Sequence, residues 1–208
     1  MARVLGVCTT AAEVLLMQVA RYWSIRFRPE TGARWLGVRA SSLRDRNIDA
    51  CELLGDAVMR IGGQVAQCTR SDDVVRILDE FVCSRLPTTN HDDVVRAAVG
   101  AIVQADGKQS IATIARDVGT SPRTLQRRFG RVVGLTPKEF ASIRRGREAL
   151  KRVVFGAGPE VEGWSSVAMD AGFADQAHMS REFARLTRFA PRALQSRLDT
   201  IDHGRIVD

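Results

Sequence analysis

Apolar residues recur every three or four positions along most of this chain, a spacing typical of helices that bury one face. The pattern is clear from Ala33 onward and predicts a series of helices up to about residue 104. One of them is expected to start at Ser71-Asp72-Asp73, which offers a capping hydroxyl and an acidic first turn, and to end before Pro87. The period therefore predicts a mainly α fold with little or no β structure.

Residues Tyr22–Phe27 are the exception, because large apolar and polar side chains alternate there. Alternation is the pattern of a half-buried strand, and the following Arg28-Pro29-Glu30-Thr31-Gly32 is typical of a turn. We expect one strand here, whereas the residues before Tyr22 fit a helix and a strand equally well.

The helical pattern breaks at Asp106-Gly107, after a helix that opens at Asp92-Asp93. The break predicts three segments: an N-terminal, mostly helical region at 1–104, a second domain at 105–200 and a tail at 201–208. The second domain is expected to fold and to work without the first.

The second domain repeats itself. Ile114-Ala115-x-Asp117-x-Gly119 recurs as Val167-Ala168-x-Asp170-x-Gly172, and Leu125-x-x-x-Phe129 recurs as Met179-x-x-x-Phe183. Such self-similarity indicates two copies of one helical unit.

The first copy, at about residues 110–130, is predicted to form a helix, a tight turn and a second helix. Ser110 would cap the first helix, Gly119 would take a left-handed conformation in the turn, and Ser121-Pro122 would start the second helix. The outer face of that second helix carries long side chains with several donors, namely Arg123, Gln126 and Arg127. Arginine can donate two parallel bonds to guanine and glutamine can pair with adenine, so this face suits reading of the major groove.

The second copy, at about residues 164–184, has the same organisation. Gly172 ends its first helix and Asp175 is expected to cap its second. The outward positions of that helix are Gln176, Ala177, Ser180 and Arg181. Because Arg127 and Arg181 both stand two residues before the core phenylalanine, an ordinary solvated helix face is a poor explanation for both copies.

A long helix from Pro137 to about Val154 is predicted to join the copies. A helix of about 18 residues is about 27 Å long, close to the 34 Å of one turn of B-DNA, and would suit two recognition helices in successive major grooves. Basic residues around these helices are predicted to contact phosphates: Arg128, Arg131, Lys138, Arg144, Arg145, His178 and Arg185.

Charge adds to this picture. Residues 1–104 carry 13 Lys and Arg against 12 Asp and Glu, and residues 105–208 carry 18 against 12, so nearly all of the net charge of +7 lies in the second half. A basic domain attracts phosphate polyanions, although a positive face can also be merely solvated.

The four cysteines, Cys8, Cys51, Cys68 and Cys83, all lie in the first half and form no C-x-x-C pair. Their spacing favours reduced buried thiols in the cytoplasm over a zinc site, and no targeting segment or membrane span is expected. Cysteine-based alkyl transfer, as in Ada-type regulators, is the alternative from the enzyme class. It would need clustered ligands or a base beside a thiolate, so we predict no catalytic residue, cofactor or metal.

Residues from about Asp106 to Leu198 resemble the DNA-binding domain of AraC/XylS regulators. The matching stretches are Ile114-Ala115, Ser121-Pro122-Arg123-x-Leu125-x-Arg127-x-Phe129, Gly134-Leu135-Thr136-Pro137, Val167-Ala168, Gly172-Phe173, Gln176-Ala177-His178 and Arg181-x-Phe183. The resemblance implies a bipartite helix-turn-helix domain that binds promoter or operator DNA. It places the base-reading positions on the outward residues given above for the two copies.

Two departures accompany this resemblance. Arg188-Phe189-Ala190-Pro191 lacks the glycine and the capping hydroxyl that the family usually has there, which predicts a softer second unit. Arg26–Pro29 and Leu36–Val38 look like the tail of the regulatory domain that in some relatives follows a cupin-like barrel. Only about 25 residues precede that match, so either the sensor is missing or the natural start lies upstream.

The sequence as a whole predicts a cytoplasmic, sequence-specific transcription regulator whose main partner is double-stranded DNA. RNA polymerase and a second copy of the chain are further candidate partners, and a membrane is not. An alternative keeps residues 33–104 as a dimerisation or co-regulator surface, with DNA binding only residual.

Overall fold

The computed structural model describes residues 2–11, 21–87, 92–155 and 163–194, and it is mainly α-helical, as predicted. The N-terminal half contains six helices within this described part: α1 (Gly32–Trp35), α2 (Ala40–Leu43), α3 (Ala50–Leu54), α4 (Ala57–Gln67), α5 (Ser71–Cys83) and α6 (Asp93–Gln104). The described residues of the other half form α7 (Ile111–Asp117), α8 (Pro122–Val133), α9 (Pro137–Phe155), α10 (Trp164–Asp170) and α11 (Gln176–Thr187).

The strand predicted at Tyr22–Phe27 is wrong, since this stretch has no regular secondary structure. Among the described residues no strand pairs with this stretch, and Tyr22 is 66% exposed. The described β structure is instead a small antiparallel pair, β1 (Arg3–Leu5) and β2 (Asn47–Asp49), within which Val4 stands opposite Ile48. The three- and four-residue spacing of apolar residues predicted helix around Asn47–Asp49 and did not indicate a strand.

Aromatic packing organises the N-terminal helices. Trp35 at the end of α1 is buried and its indole nitrogen donates to the carbonyl of Val82 in α5, at 2.9 Å. The ring centroids of Phe27 and Phe81 lie 4.8 Å and 5.6 Å from that of Trp35. Phe27 therefore serves the core of this region without belonging to a strand.

Helices α5 and α6 begin differently from each other. Asp92 accepts a hydrogen bond from the backbone nitrogen of Val95 and so caps α6, in agreement with the sequence. In α5, by contrast, Ser71 lies in the first turn, Arg70 occupies the N-cap, and no side chain caps the helix. That helix ends at Cys83, four residues before Pro87.

The break after α6 lies where the sequence predicted it. Asp106 and Gly107 both have positive φ, 48° and 76°. A Cβ on Gly107 would lie 2.2 Å from the carbonyl oxygen of Ala141, so only glycine allows this close approach to α9. The turn thereby fixes the start of α7 against the long helix.

Packing groups the described residues into two compact units. One unit contains the described residues within 1–8, 13–99 and 123–136, and the other contains those within 9–12, 100–122 and 137–208. The predicted segments at 1–104, 105–200 and 201–208 stay a prediction. In the described part of the chain, no helix combines the length and the apolar character that crossing a bilayer requires.

Candidate nucleic-acid interface

The helix before the first recognition helix begins and ends as its sequence predicts. Ser110 accepts a hydrogen bond from the backbone nitrogen of Thr113 at 3.1 Å and so caps α7. Gly119 then takes the left-handed conformation, with φ of 72°, and α8 begins at Pro122. The turn between the helices is thus built from local chemistry alone.

The first recognition helix, α8, separates an apolar from a cationic side. Leu125 and Phe129 are completely buried. The predicted base-reading side chains are exposed and, together with Thr124, line one shallow depression of about 450 Å³: Arg123, Gln126 and Arg127. Their donors are available to a ligand that approaches this face.

Arg128, on the flank of α8, is held by an acidic residue at the start of α6. Its Nε lies 3.0 Å from Oδ2 of Asp92, and its Nη2 lies 2.7 Å from Oδ1. Arg131 approaches the same carboxylate at 3.6 Å but is exposed, and Lys138 at the start of α9 is exposed as well. Of these three predicted phosphate contacts, Arg128 is thus the most strongly engaged within the protein.

The Asp92 carboxylate is ionised because its partners outweigh its burial. Burial, the largest single influence, would raise its pKa. The hydrogen bonds from Arg128 and Val95, with the charges of Arg128 and Arg131, together hold the pKa of Asp92 below its ordinary value. Asp92 therefore keeps its negative charge at neutral pH.

The second copy of the helical repeat, which contains α10 and α11, has its own apolar core. Phe183 and Met179 of α11 are completely buried together with Val167 and Ala168 of α10, Ala171, Phe173, and Ala149 of α9. Gly172 has a φ of 80°, and a Cβ there would lie 2.7 Å from the Lys108 side chain. Asp175 caps α11 by accepting from the backbone nitrogen of His178 at 2.6 Å, as predicted.

The outward face of α11 is less uniformly exposed than that of α8. Gln176, Ala177 and Arg181 are exposed, whereas Ser180 and His178 are half-buried. The imidazole of His178 stands edge-on to Phe173, with ring centroids 5.5 Å apart. Arg181 is the one long basic side chain among the four predicted base-reading residues of this helix.

Three further predicted phosphate contacts have partners inside the protein. Arg144 pairs with Asp106 at 3.0 Å, and Nη1 of Arg145 donates to the carbonyl of Gly107 at 2.6 Å. Burial lowers the pKa of Arg145, an effect that Glu182 partly offsets, and its guanidinium lies over the ring of Phe173. Arg185 pairs with Glu182 at 2.9 Å. Their contact with phosphate stays a prediction.

A match to a known protein family decides what the repeated helices are. Residues 114–197 match the family model described as a helix-turn-helix domain. The match covers both recognition helices and α9 between them. Residues 114–197 are an AraC/XylS-type helix-turn-helix domain. No curated protein and no solved structure matches the chain.

A domain of this type supports a role in DNA binding and transcription regulation for this part of the chain. The match does not extend to the N-terminal half, so the resemblance of Arg26–Pro29 and Leu36–Val38 to the tail of a sensor domain stays a prediction.

The prediction of buried thiols is wrong, because Cys51 and Cys83 are exposed and Cys8 and Cys68 are only half-buried. Burial, followed by the charge of Asp45, raises the pKa of Cys8, and burial together with the hydrogen bond to Asp49 raises the pKa of Cys51. Within the described residues, no group of three or more His, Cys, Asp or Glu side chains is arranged to hold a metal ion. These observations add nothing in favour of alkyl transfer.

Sequence reasoning missed the acidic and polar residues that anchor the recognition helices. The hydroxyl of Ser142 in α9 donates to Glu182, which also accepts from Arg185. Asp92 was identified only as a helix start. Its partner Arg128 lies 36 residues away, and no local pattern connects the two.

Proposed function

We propose that the chain is a sequence-specific DNA-binding transcription regulator that reads double-stranded DNA with two recognition helices, α8 and α11. The observation that carries the proposal is the shared arrangement of Arg127 and Arg181. Both side chains are exposed, and each stands two residues before a completely buried phenylalanine, Phe129 or Phe183. The same helix position thus presents a guanidinium to solvent in both copies.

Base reading is assigned to the outward positions of these helices, with α8 as the main source of specificity. On α8 the assignment covers Arg123, Gln126 and Arg127, which bring several donors to one face. On α11 it covers Gln176, Ala177, Ser180 and Arg181, of which Ala177 has no hydrogen-bonding side chain and Ser180 is half-buried. We therefore expect α11 to contribute more to anchoring and less to discrimination.

The experiment begins with selection of bound sites from random duplex DNA by the full chain, which reports both the sequence and the half-site spacing. On the selected site, Arg123→Ala and Arg127→Ala should each weaken binding by about 1–3 kcal/mol and relax the preference at one base pair, because a bidentate contact is lost. Arg181→Ala should cause a smaller loss of discrimination. Arg76→Ala is the matched control, since Arg76 is an exposed helical arginine outside the matched domain.

The salt dependence of DNA binding tests the predicted phosphate contacts separately. With about six phosphate contacts, the logarithm of the binding constant should fall against the logarithm of the salt concentration with a slope near −5. Lys138→Ala should weaken selected and random duplexes alike and reduce that slope by about 0.9. A flat salt response, or equal losses for Arg76→Ala and Arg127→Ala, would contradict the assignment of this surface to DNA.

A further inference from the structure

Asp92 makes contacts that a helix cap alone does not need. Its side chain is only 11% exposed, although it lies at the very start of α6. Besides accepting from the backbone of Val95, it receives two parallel hydrogen bonds from Arg128 and lies 3.6 Å from Arg131. One carboxylate therefore starts α6 and holds two residues of the recognition helix α8.

We propose that Asp92 is a positioning residue for DNA reading, which fixes the rotation of α8 through Arg128 and so sets where Arg127 and Gln126 point. This inference rests on the proposed function of α8 as a base-reading helix. Asp92 itself is not expected to touch DNA.

The geometry of the pair explains why it would control rotation. A guanidinium that donates from both Nε and Nη2 to the two oxygens of one carboxylate is fixed in plane as well as in distance. Arg128 is the direct neighbour of Arg127, so both side chains turn with the same backbone. A rotation of α8 that shifts Arg127 also moves the Cα of Arg128 and thereby strains the two parallel bonds.

The equivalent position in the second copy, the residue after the outward arginine of α11, is also polar. Glu182 in α11 stands next to Arg181, as Arg128 stands next to Arg127. Glu182 is also engaged within the protein, through Ser142 of α9 and Arg185 of its own helix. In both copies, the residue after the outward arginine is held by polar contacts within the protein. That residue is basic in α8 (Arg128) and acidic in α11 (Glu182).

The competing assignment makes Arg128 a phosphate contact, as the sequence alone predicted. A phosphate that captured the guanidinium would leave a nearly buried Asp92 carboxylate without its strongest partner. Separating such a charge from its partner is costly, which favours retention of the pair when DNA binds.

The test compares variants of the full chain on the selected duplex and on a scrambled duplex. Asp92→Asn keeps an oxygen that can cap α6 but loses the charge that holds Arg128, and Arg128→Met removes the guanidinium. Each should lower the ratio of selected to scrambled binding about tenfold, and the double variant should lose no more than either single one. The slope against salt should stay within about 0.5 of wild type, since a lost phosphate contact would change it by about 0.9.

Asp93→Asn is the matched control. Asp93 is the next residue along the chain and pairs with Arg96 at 2.8 Å on the exposed side of the same helix. Within the described residues its carboxylate pairs with its own helix and not with α8, so its loss should leave the binding ratio unchanged. Arg128→Lys keeps a positive charge but cannot make the two parallel bonds, so it should lower the ratio of selected to scrambled binding by an intermediate amount. It is the milder variant to use if Asp92→Asn does not fold.

Two results would overturn the proposal while the proposed function stands. In one, wild type binds its selected duplex and Asp92→Asn behaves like Asp93→Asn. In the other, Asp92→Asn binds every duplex more tightly while Arg128→Met loses selected and scrambled binding alike with a lower salt slope, which would make Arg128 a phosphate contact. If wild type selects no duplex at all, the proposed function fails and this inference fails with it.

Discussion

Arg188 ends the second recognition helix in a backbone conformation that arginine rarely adopts. It is the C-cap residue of α11, with φ of 65° and ψ of 6°, in the left-handed region. The hydroxyl of Thr187 accepts from the backbone nitrogen of Phe189 and so supports the turn from the side. Arg188 thus takes the conformation that glycine usually supplies here, and a local hydrogen bond partly compensates for its cost. The softer second unit stays a prediction.

Arg188→Gly should stabilise the protein by about 1 kcal/mol, because glycine adopts this conformation without the steric cost of a Cβ. Denaturant unfolding followed by circular dichroism measures the change. Arg181→Gly is the matched control, since it makes the same substitution inside α11, where glycine should cost about 1 kcal/mol. Destabilisation by both variants to the same extent would show that the C-cap is not strained.

The recognition helices illustrate how an element is oriented once its local sequence has formed it. α11 is capped by Asp175 and is anchored through Glu182 to Ser142. The hydrogen bond from Arg185, foremost, together with the bond from Ser142 and the charges of Arg185 and His178, outweighs burial and lowers the pKa of Glu182. The anchor is therefore ionic at neutral pH.

A lowered pKa in the folded state means that this anchor stabilises the protein above the ordinary pKa of glutamate, about 4.3. The contribution should disappear as the pH falls from there through the lower pKa of the folded state. Glu182→Gln should accordingly be less stable than wild type at pH 7, by about 1 kcal/mol or less for a partly exposed pair, and the difference should narrow below pH 4. Unfolding free energies of both proteins between pH 3 and pH 7 measure it.

Ser142→Ala separates the two partners of Glu182 in the same pH series. It removes the hydrogen bond to the carboxylate and the one that Ser142 accepts from Arg185, but it keeps the pair of Arg185 with Glu182, so it should reproduce only part of the effect. A constant difference between wild type and Glu182→Gln across the whole range would mean that ionisation of Glu182 contributes nothing to folding.

At the scale of the whole molecule, α6 is tied to the first recognition helix through the residue at its start. Val95, Ala98 and Ile102 of this helix are completely buried, and Asp92 at its start holds Arg128. The sequence predicted a second domain at 105–200 that needs nothing before residue 105. The burial of α6 leads us to propose a start near Asp92 instead.

A fragment of residues 92–208 should therefore unfold cooperatively and bind the selected duplex, whereas 105–208 should not. Burial of Val95 and Ile102 alone is worth roughly 3–6 kcal/mol, which is comparable to the total stability of many small domains. Circular dichroism and duplex binding of both fragments check this expectation. A cooperative transition and undiminished binding in 105–208 would restore the boundary at residue 105.

The sequence by itself determined the elements whose causes are local. Ser110 and Asp175 cap their helices through atoms three residues away, and Gly119 and Gly172 take the positive φ that glycine adopts without steric cost. The repeat of these local signals was enough to identify the helix-turn-helix domain and its outward residues. The cap predicted at Ser71 does not form, and Tyr22–Phe27 is not a strand. In both places a local preference was not supported by the hydrogen-bond partner that the element needs.

Only the tertiary structure decided which distant residues meet. The pairing of β1 with β2, the bond between Arg128 and Asp92, and the bond between Ser142 and Glu182 join residues about 40 positions apart. No periodicity or spacing encodes such pairs, because they depend on how helices of fixed length pack and on which polar groups that packing removes from water. Exposed residues could thus be read from the sequence, while the residues that hold them in place could not.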